Sequence, residues 1–260
     1  MRLSVFLLSV FLVACGRGPA SPDEARLAHS QYELGADDFH NGRYRSALGH
    51  VEKALELDHE HAEAAYLGAM VMLVFCAADE GGTDCRYERA ESFVRHALKA
   101  NPEMRDATNA LGVVLVHLKR EREAIAVLRP LTEDILYRSP EKAWGNLGWA
   151  YLRDGQLNEA IGALKRSIAA EPRFCVGHYR LGLAYEGKND YAAARHSFTR
   201  ALSVPEVACG RLQAAFWGRA RVLEQLGAVA ELRLDLERCR DLTASSSIGR
   251  KCELKLQALK

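Results

Sequence analysis

Proline is scarce in this chain, with seven residues in 260. β-branched residues are sparse as well, whereas alanine and leucine abound. Few positions can interrupt a helix, so the composition excludes a sheet-built domain and favours an all-α one with enough apolar content for a core. An excess of charge is also missing. Lys and Arg number 35 against 34 Asp and Glu, which gives no electrostatic case for nucleic acid or anionic lipid as a main partner. Signatures of chemistry are absent too. There is no H-E-x-x-H and no spaced pair of CxxC motifs. Gly81-Gly82-Thr83 lacks the lysine of a phosphate-binding loop. His59-Glu60-His61 places its two imidazoles at i, i+2, which do not share a helix face, and reads as a solvated loop. No enzyme activity, cofactor, metal or small-molecule substrate is expected.

Long apolar runs are confined to one place. Arg2 is followed by a nearly unbroken apolar stretch from Leu3 to Ala14, and then by Cys15. Spanning a bilayer takes about 20 residues, so this run is short for a transmembrane helix and fits a secretory leader. Leu12-Val13-Ala14-Cys15 resembles the lipobox of bacterial lipoproteins. The resemblance implies removal of residues 1–14 and acylation of Cys15, which becomes the new N-terminus. Gly16, not Asp, follows the cysteine, and by the sorting rule of that family this implies the outer membrane. One other reading competes: an ordinary leader cleaved elsewhere, with Cys15 incidental. Residues 15–27 are expected to join the lipid to the domain, with Gly16 to Pro22 as a Gly/Pro/Ser-rich tether.

The mature region repeats. Leu34-Gly35, Leu67-Gly68, Leu111-Gly112, Leu147-Gly148 and Leu181-Gly182 recur. Twelve residues after four of these glycines stand Ala47, Ala124, Ala160 and Ala194. Seven residues further stand Ala54, Leu131, Ser167 and Ala201. Trp144, Leu147, Gly148, Tyr151, Gly155, Ala160, Leu164, Ser167 and Pro172 resemble the tetratricopeptide (TPR) consensus almost position for position. Small residues at the eighth and twentieth positions let two helices approach closely. Gly42, Gly155 and Gly227 suit the turns between them, and Pro102 and Pro172 end second helices. The expected fold is a TPR solenoid of about six helix-turn-helix repeats, 28–61, 61–104, 105–140, 141–174, 175–208 and 213–246, with a capping helix over 247–260.

Apart from Cys15, six cysteines remain: Cys76, Cys85, Cys175, Cys209, Cys239 and Cys252. An oxidising compartment invites disulfides, and the repeat map favours three local pairs. Cys76 and Cys85 bracket an insertion in the second unit. Cys175 and Cys209 sit at neighbouring ends of the fifth, and Cys239 and Cys252 join the last unit to the cap. Buried free thiols or a metal site are the competing readings.

The TPR resemblance implies that the first helix of each unit lines a groove. Mapped onto this chain it gives Tyr32, Phe39, Met72, Asn109, Val113, Val116, Trp149, Leu152, Tyr179 and Leu183 as a partner-binding face, with Ala65 and Ala69 also on it. His117, Arg153 and Glu186 are further polar members beside Asn109. The face reads as apolar and lacks the Lys- and Asn-rich pattern of carboxylate-clamp TPRs, so a hydrophobic segment or helix of a partner is expected there. Lipobox, tether and repeats together resemble the type IV pilus pilotins, the PilF/PilW/Tgl-like outer-membrane lipoproteins, with a layout nearest to Tgl. That resemblance implies binding of a secretin subunit, promotion of its multimerisation and outer-membrane insertion, and support of pilus-dependent motility. A TPR scaffold for another envelope assembly, in β-barrel insertion or as a peptidoglycan-enzyme adaptor, is the alternative.

Overall fold

The computed structural model describes residues 19–78 and 82–259. Among these residues the chain forms fourteen helices and no strand. Six are the first helices of repeat units: α1 Pro22–His40, α3 Ala62–Ala78, α5 Arg105–His117, α7 Pro140–Arg153, α9 Cys175–Gly187 and α12 Gln213–Gln225. Their antiparallel partners are α2 Tyr44–Leu57, α4 Tyr87–Ala100, α6 Glu121–Glu133, α8 Leu157–Ala170, α10 Tyr191–Ser203 and α13 Val229–Leu242. A short α11, Val207–Gly210, precedes the last pair, and α14, Ser247–Ala258, caps the row. The leader and Cys15 lie outside the described residues.

Two boundaries depart from expectation. Residues 22–27 are helical and not part of a tether, because Ser21 and Glu24 form a reciprocal capping box and Pro22 occupies the first turn. Such a cap satisfies amide donors that a helix start otherwise leaves unpaired. The connection between the fifth and sixth units also folds, into α11.

Close approach within the first five pairs rests on missing side chains. A methyl group added at Gly148 would stand 2.6 Å from Leu164 Cγ, and one at Gly182 would stand 2.7 Å from Phe198 Cδ1. Both large residues come from the second helix of the same unit and are fully or almost fully buried. On the second helices Ala47, Ala90, Ala124, Ala160 and Ala194 have no exposed surface. Ser167, equally buried, donates its hydroxyl to the carbonyl of Glu141 at 2.7 Å. At the interhelical turns Gly42, Gly155 and Gly227 take positive φ, as their spacing suggests. Lys119 and Asn189 hold the same left-handed position in the third and fifth units, both at φ 60°; this the sequence did not reveal.

First helices touch their successors directly, α1 on α3 and so on to α9 on α12. Second helices reach the next unit through its first helix, as α2 on α3 and α8 on α9 do. The first helices therefore form the tighter row of the solenoid, which is the inner face. On the outer side long ion pairs reach between successive units, Arg120 to Glu91 at 2.7 Å and Arg195 to Glu231 at 3.0 Å. An exposed pair such as Arg195–Glu231 contributes little, about 0–1 kcal/mol.

The cysteines pair locally: Cys76–Cys85, Cys175–Cys209 and Cys239–Cys252, with Cα separations of 4.3, 5.8 and 6.1 Å. The first closes the insertion, the second ties α9 to α11, and the third ties α13 to α14. His61, expected in a solvated loop, is instead buried. Its Nδ1 accepts from the Ala64 amide at 3.3 Å, capping α3, and its ring stacks on His29. Burial holds its pKa below the ordinary value.

Two outcomes follow. Gly148→Ala destabilises the domain by about 1–3 kcal/mol through overpacking against Leu164. Gly162→Ala, at an exposed helical position with open space around it, stabilises by about 0.5–1 kcal/mol; urea unfolding of the two variants checks the opposed signs. Alkylation and mass spectrometry without reductant find none of the six cysteines free, and opening the Cys175–Cys209 loop costs roughly 3–4 kcal/mol.

Candidate functional groove

The inner row presents side chains at steps of one repeat. Of the residues the sequence assigns to the groove, Tyr32 and Phe39 on α1 are half-buried, and so are Asn109 and Val113 on α5. Trp149 and Leu152 on α7 and Tyr179 and Leu183 on α9 are half-buried too. Trp149 and Leu152 pack onto the main core cluster, while Tyr179 and Leu183 pack beside Phe198. Two assignments are corrected. Met72 is 2% exposed in a cluster with Ala47, Val71, Ala90 and Val114. Val116 is 1% exposed in the cluster that holds Leu147, Ala150 and Tyr151. In the second and third units this register is covered by neighbouring helices, so neither side chain can meet a partner. Ala65 and Ala69 are enclosed in the same way.

Where the groove is open, it carries a continuous chain of ring and polar contacts. Tyr87 at the start of α4 stacks on His117 with centroids 4.3 Å apart. His117 meets Trp149 edge-on at 4.9 Å. The guanidinium of Arg180, on α9, lies 4.6 Å from the centroid of the Trp149 ring. Beneath these, Asn146 donates to Asn109 Oδ1 at 2.9 Å and accepts from Arg180 Nη1 at 2.8 Å. The same Nη1 donates to the Gly145 carbonyl at 3.0 Å. One step further, Arg221 on α12 grips Glu186 of α9 with Nε and Nη2 at 2.7 and 2.6 Å and lies beside Trp217.

The two arginines differ electrostatically. Hydrogen bonding to Glu186 raises the pKa of Arg221. Loss of water around Arg180 pulls its pKa down to about 10, so it remains charged at neutral pH. Burial likewise raises the Tyr179 hydroxyl. The groove is thus aromatic and apolar with a cationic centre, and not simply apolar. Asn146, Arg180 and Arg221 were not among the residues foreseen. A signal existed, since Asn146 and Arg180 each immediately precede a Leu-Gly pair.

Because Asn146 is 7% exposed and joins three first helices, its replacement leaves half-buried donors and acceptors on both sides unpaired. Asn146→Ala costs about 1–3 kcal/mol in urea unfolding. Adding Asn109→Ala costs less than the sum of the two single changes, as expected for coupled partners.

Comparison with known proteins fits this architecture. Tetratricopeptide-repeat models match residues 86–134 and 179–237, and a second one matches 143–175. Superkiller complex protein 3 of Mus musculus is 28% identical over 187 residues, covering 68% of this chain but only 11% of its own length. Type IV pilus assembly protein PilF of Pseudomonas aeruginosa is 31% identical over 172 residues, covering 63% of this chain and 64% of its own. The crystal structure of PilW, a type IV pilus biogenesis factor, superposes with a TM-score of 0.71 at 21% identity, covering 87% of this chain and 98% of that one. The chain is a tetratricopeptide-repeat protein, similar in sequence to PilF and sharing the fold of PilW.

Proposed function

We propose that this protein is a lipid-anchored assembly factor of the type IV pilus machinery. It binds a secretin subunit in the groove of first helices and promotes its multimerisation and insertion at the outer membrane. The similarity to PilF, 31% over 172 residues, carries this reading. The groove supports it physically, because half-buried Trp149, Leu152, Tyr179 and Leu183 offer desolvated apolar area to an amphipathic segment. Acylation at Cys15 holds the module at a membrane. Tethering makes the encounter two-dimensional and raises the effective concentration of the partner without any new contact. Capture, release and insertion on this reading need no nucleotide.

Deleting the gene abolishes or sharply reduces secretin multimers on a gel that preserves them, and supplying the wild-type chain restores them. Unchanged multimers in the deletion strain contradict the proposal. Cys15→Ala yields a folded repeat domain that fails to restore them. Trp149→Ala keeps the helical signal by circular dichroism and weakens capture of the secretin subunit by about tenfold or more, in line with loss of a central aromatic anchor. Unfolding of that variant would mean that Trp149 belongs to the core.

A further inference from the structure

Arginines in this solenoid settle carboxylates on one edge of the guanidinium. Arg221 places Nε and Nη2 on Glu186 at 2.7 and 2.6 Å, and Arg219 places the same two atoms on Asp235, both at 2.7 Å. Arg180 does otherwise. Both of its hydrogen bonds leave from Nη1, to Gly145 and Asn146. Among the described residues nothing accepts from its Nε or Nη2, and no carboxylate pairs with it. No buried polar side-chain atom in the described residues lacks a partner, so this edge still meets solvent. Trp149 covers one face of the cation at 4.6 Å and shields it from water. A partly dehydrated guanidinium with a free two-donor edge matches a carboxylate in shape and charge.

We infer that the Nε–Nη2 edge of Arg180 receives the side-chain carboxylate of an Asp or Glu on the partner segment that occupies the groove. The inference rests on the reading of this groove as a partner-binding face and names what that partner carries. A side-chain carboxylate fits better than a chain terminus for two reasons. Clamping a terminus takes several converging donors, and here the Asn146 amide is already spent on Asn109. The inner row also runs on past Arg180, from Trp149 and Leu152 on one side to Trp217 on α12, so a segment can continue through the site. The partner is therefore an apolar segment with one acidic side chain facing the groove.

Three labelled peptides test this against the full chain by fluorescence anisotropy. The first is an amphipathic Leu/Ala peptide with blocked ends and one central Glu on its apolar face. The second is its Gln twin, and the third is that twin with a free C-terminal carboxylate. The Glu peptide binds wild type about tenfold tighter than the Gln twin, the scale of one charge-assisted bidentate contact. Arg180→Gln removes the preference, so that the variant binds the Glu peptide and its Gln twin alike. Arg180→Lys, which keeps the charge and Trp149 but loses the fork, retains only part of it and decides the matter if Arg180→Gln fails to fold. Equal binding of Glu and Gln peptides, or binding of neither, overturns the inference. Tighter binding of the free-ended peptide than of its blocked twin would move the site to chain termini and overturn it as well. Loss of secretin capture with the Glu preference intact counts against the pilus reading alone.

Discussion

Everything in this molecule depends on two helices lying closer together than ordinary side chains permit. At Gly148 and Gly182 the first helix presents bare backbone, and Leu164 or Phe198 from the second fills the space a methyl group would occupy. Each such pair is a flat unit with apolar residues on both outer faces, unable to bury them alone. Stacking is the only way to cover them, and stacking pairs of unequal spacing makes a curved row. Close packing within the pair thus determines which helices face inward. The inward helices in turn set the spacing at which Asn109, Asn146, Trp149 and Arg180 can touch one another.

That geometry explains how a nearly neutral chain acquires a selective surface. The ion pairs on the outer side satisfy charge between units and contribute little. Inside, one arginine is neutralised by Glu186 and another is left to Trp149 and a pair of amides. On the proposed reading, a row of helices in which Arg180 has no carboxylate partner among the described residues would discriminate among apolar segments, which hydrophobic contact alone does poorly. The disulfides add local ties where the repeat is weakest: at the insertion, at the irregular connection to the sixth unit, and at the cap.

The fold was legible because its determinants are local and periodic. Leu-Gly pairs, the alanines twelve residues later and the turn glycines each report a backbone requirement that recurs, so the helix pairs and even the cysteine pairings could be placed. Boundaries were less legible. Pro22 reads as tether by composition but serves as the first residue of a capped helix, and α11 carries no periodic signal. The groove was only partly readable, for a physical reason. A register position fixes the side of a helix, but how far the next helix covers it depends on curvature and on neighbouring side-chain size. Met72 and Val116 share that position with Leu152, yet only Leu152 keeps open surface. Arg180 is not legible in the sequence because its meaning lies in which of its donors are spent, and that is a property of three helices together.

The claim that this inner row is the working surface is tested most directly by site-specific photocrosslinking in cells. A benzoylphenylalanine at Leu152, half-buried in the groove, should capture the secretin subunit. The same group at Leu234, 65% exposed on α13, should not. Capture from Leu234 with none from Leu152 would contradict the account.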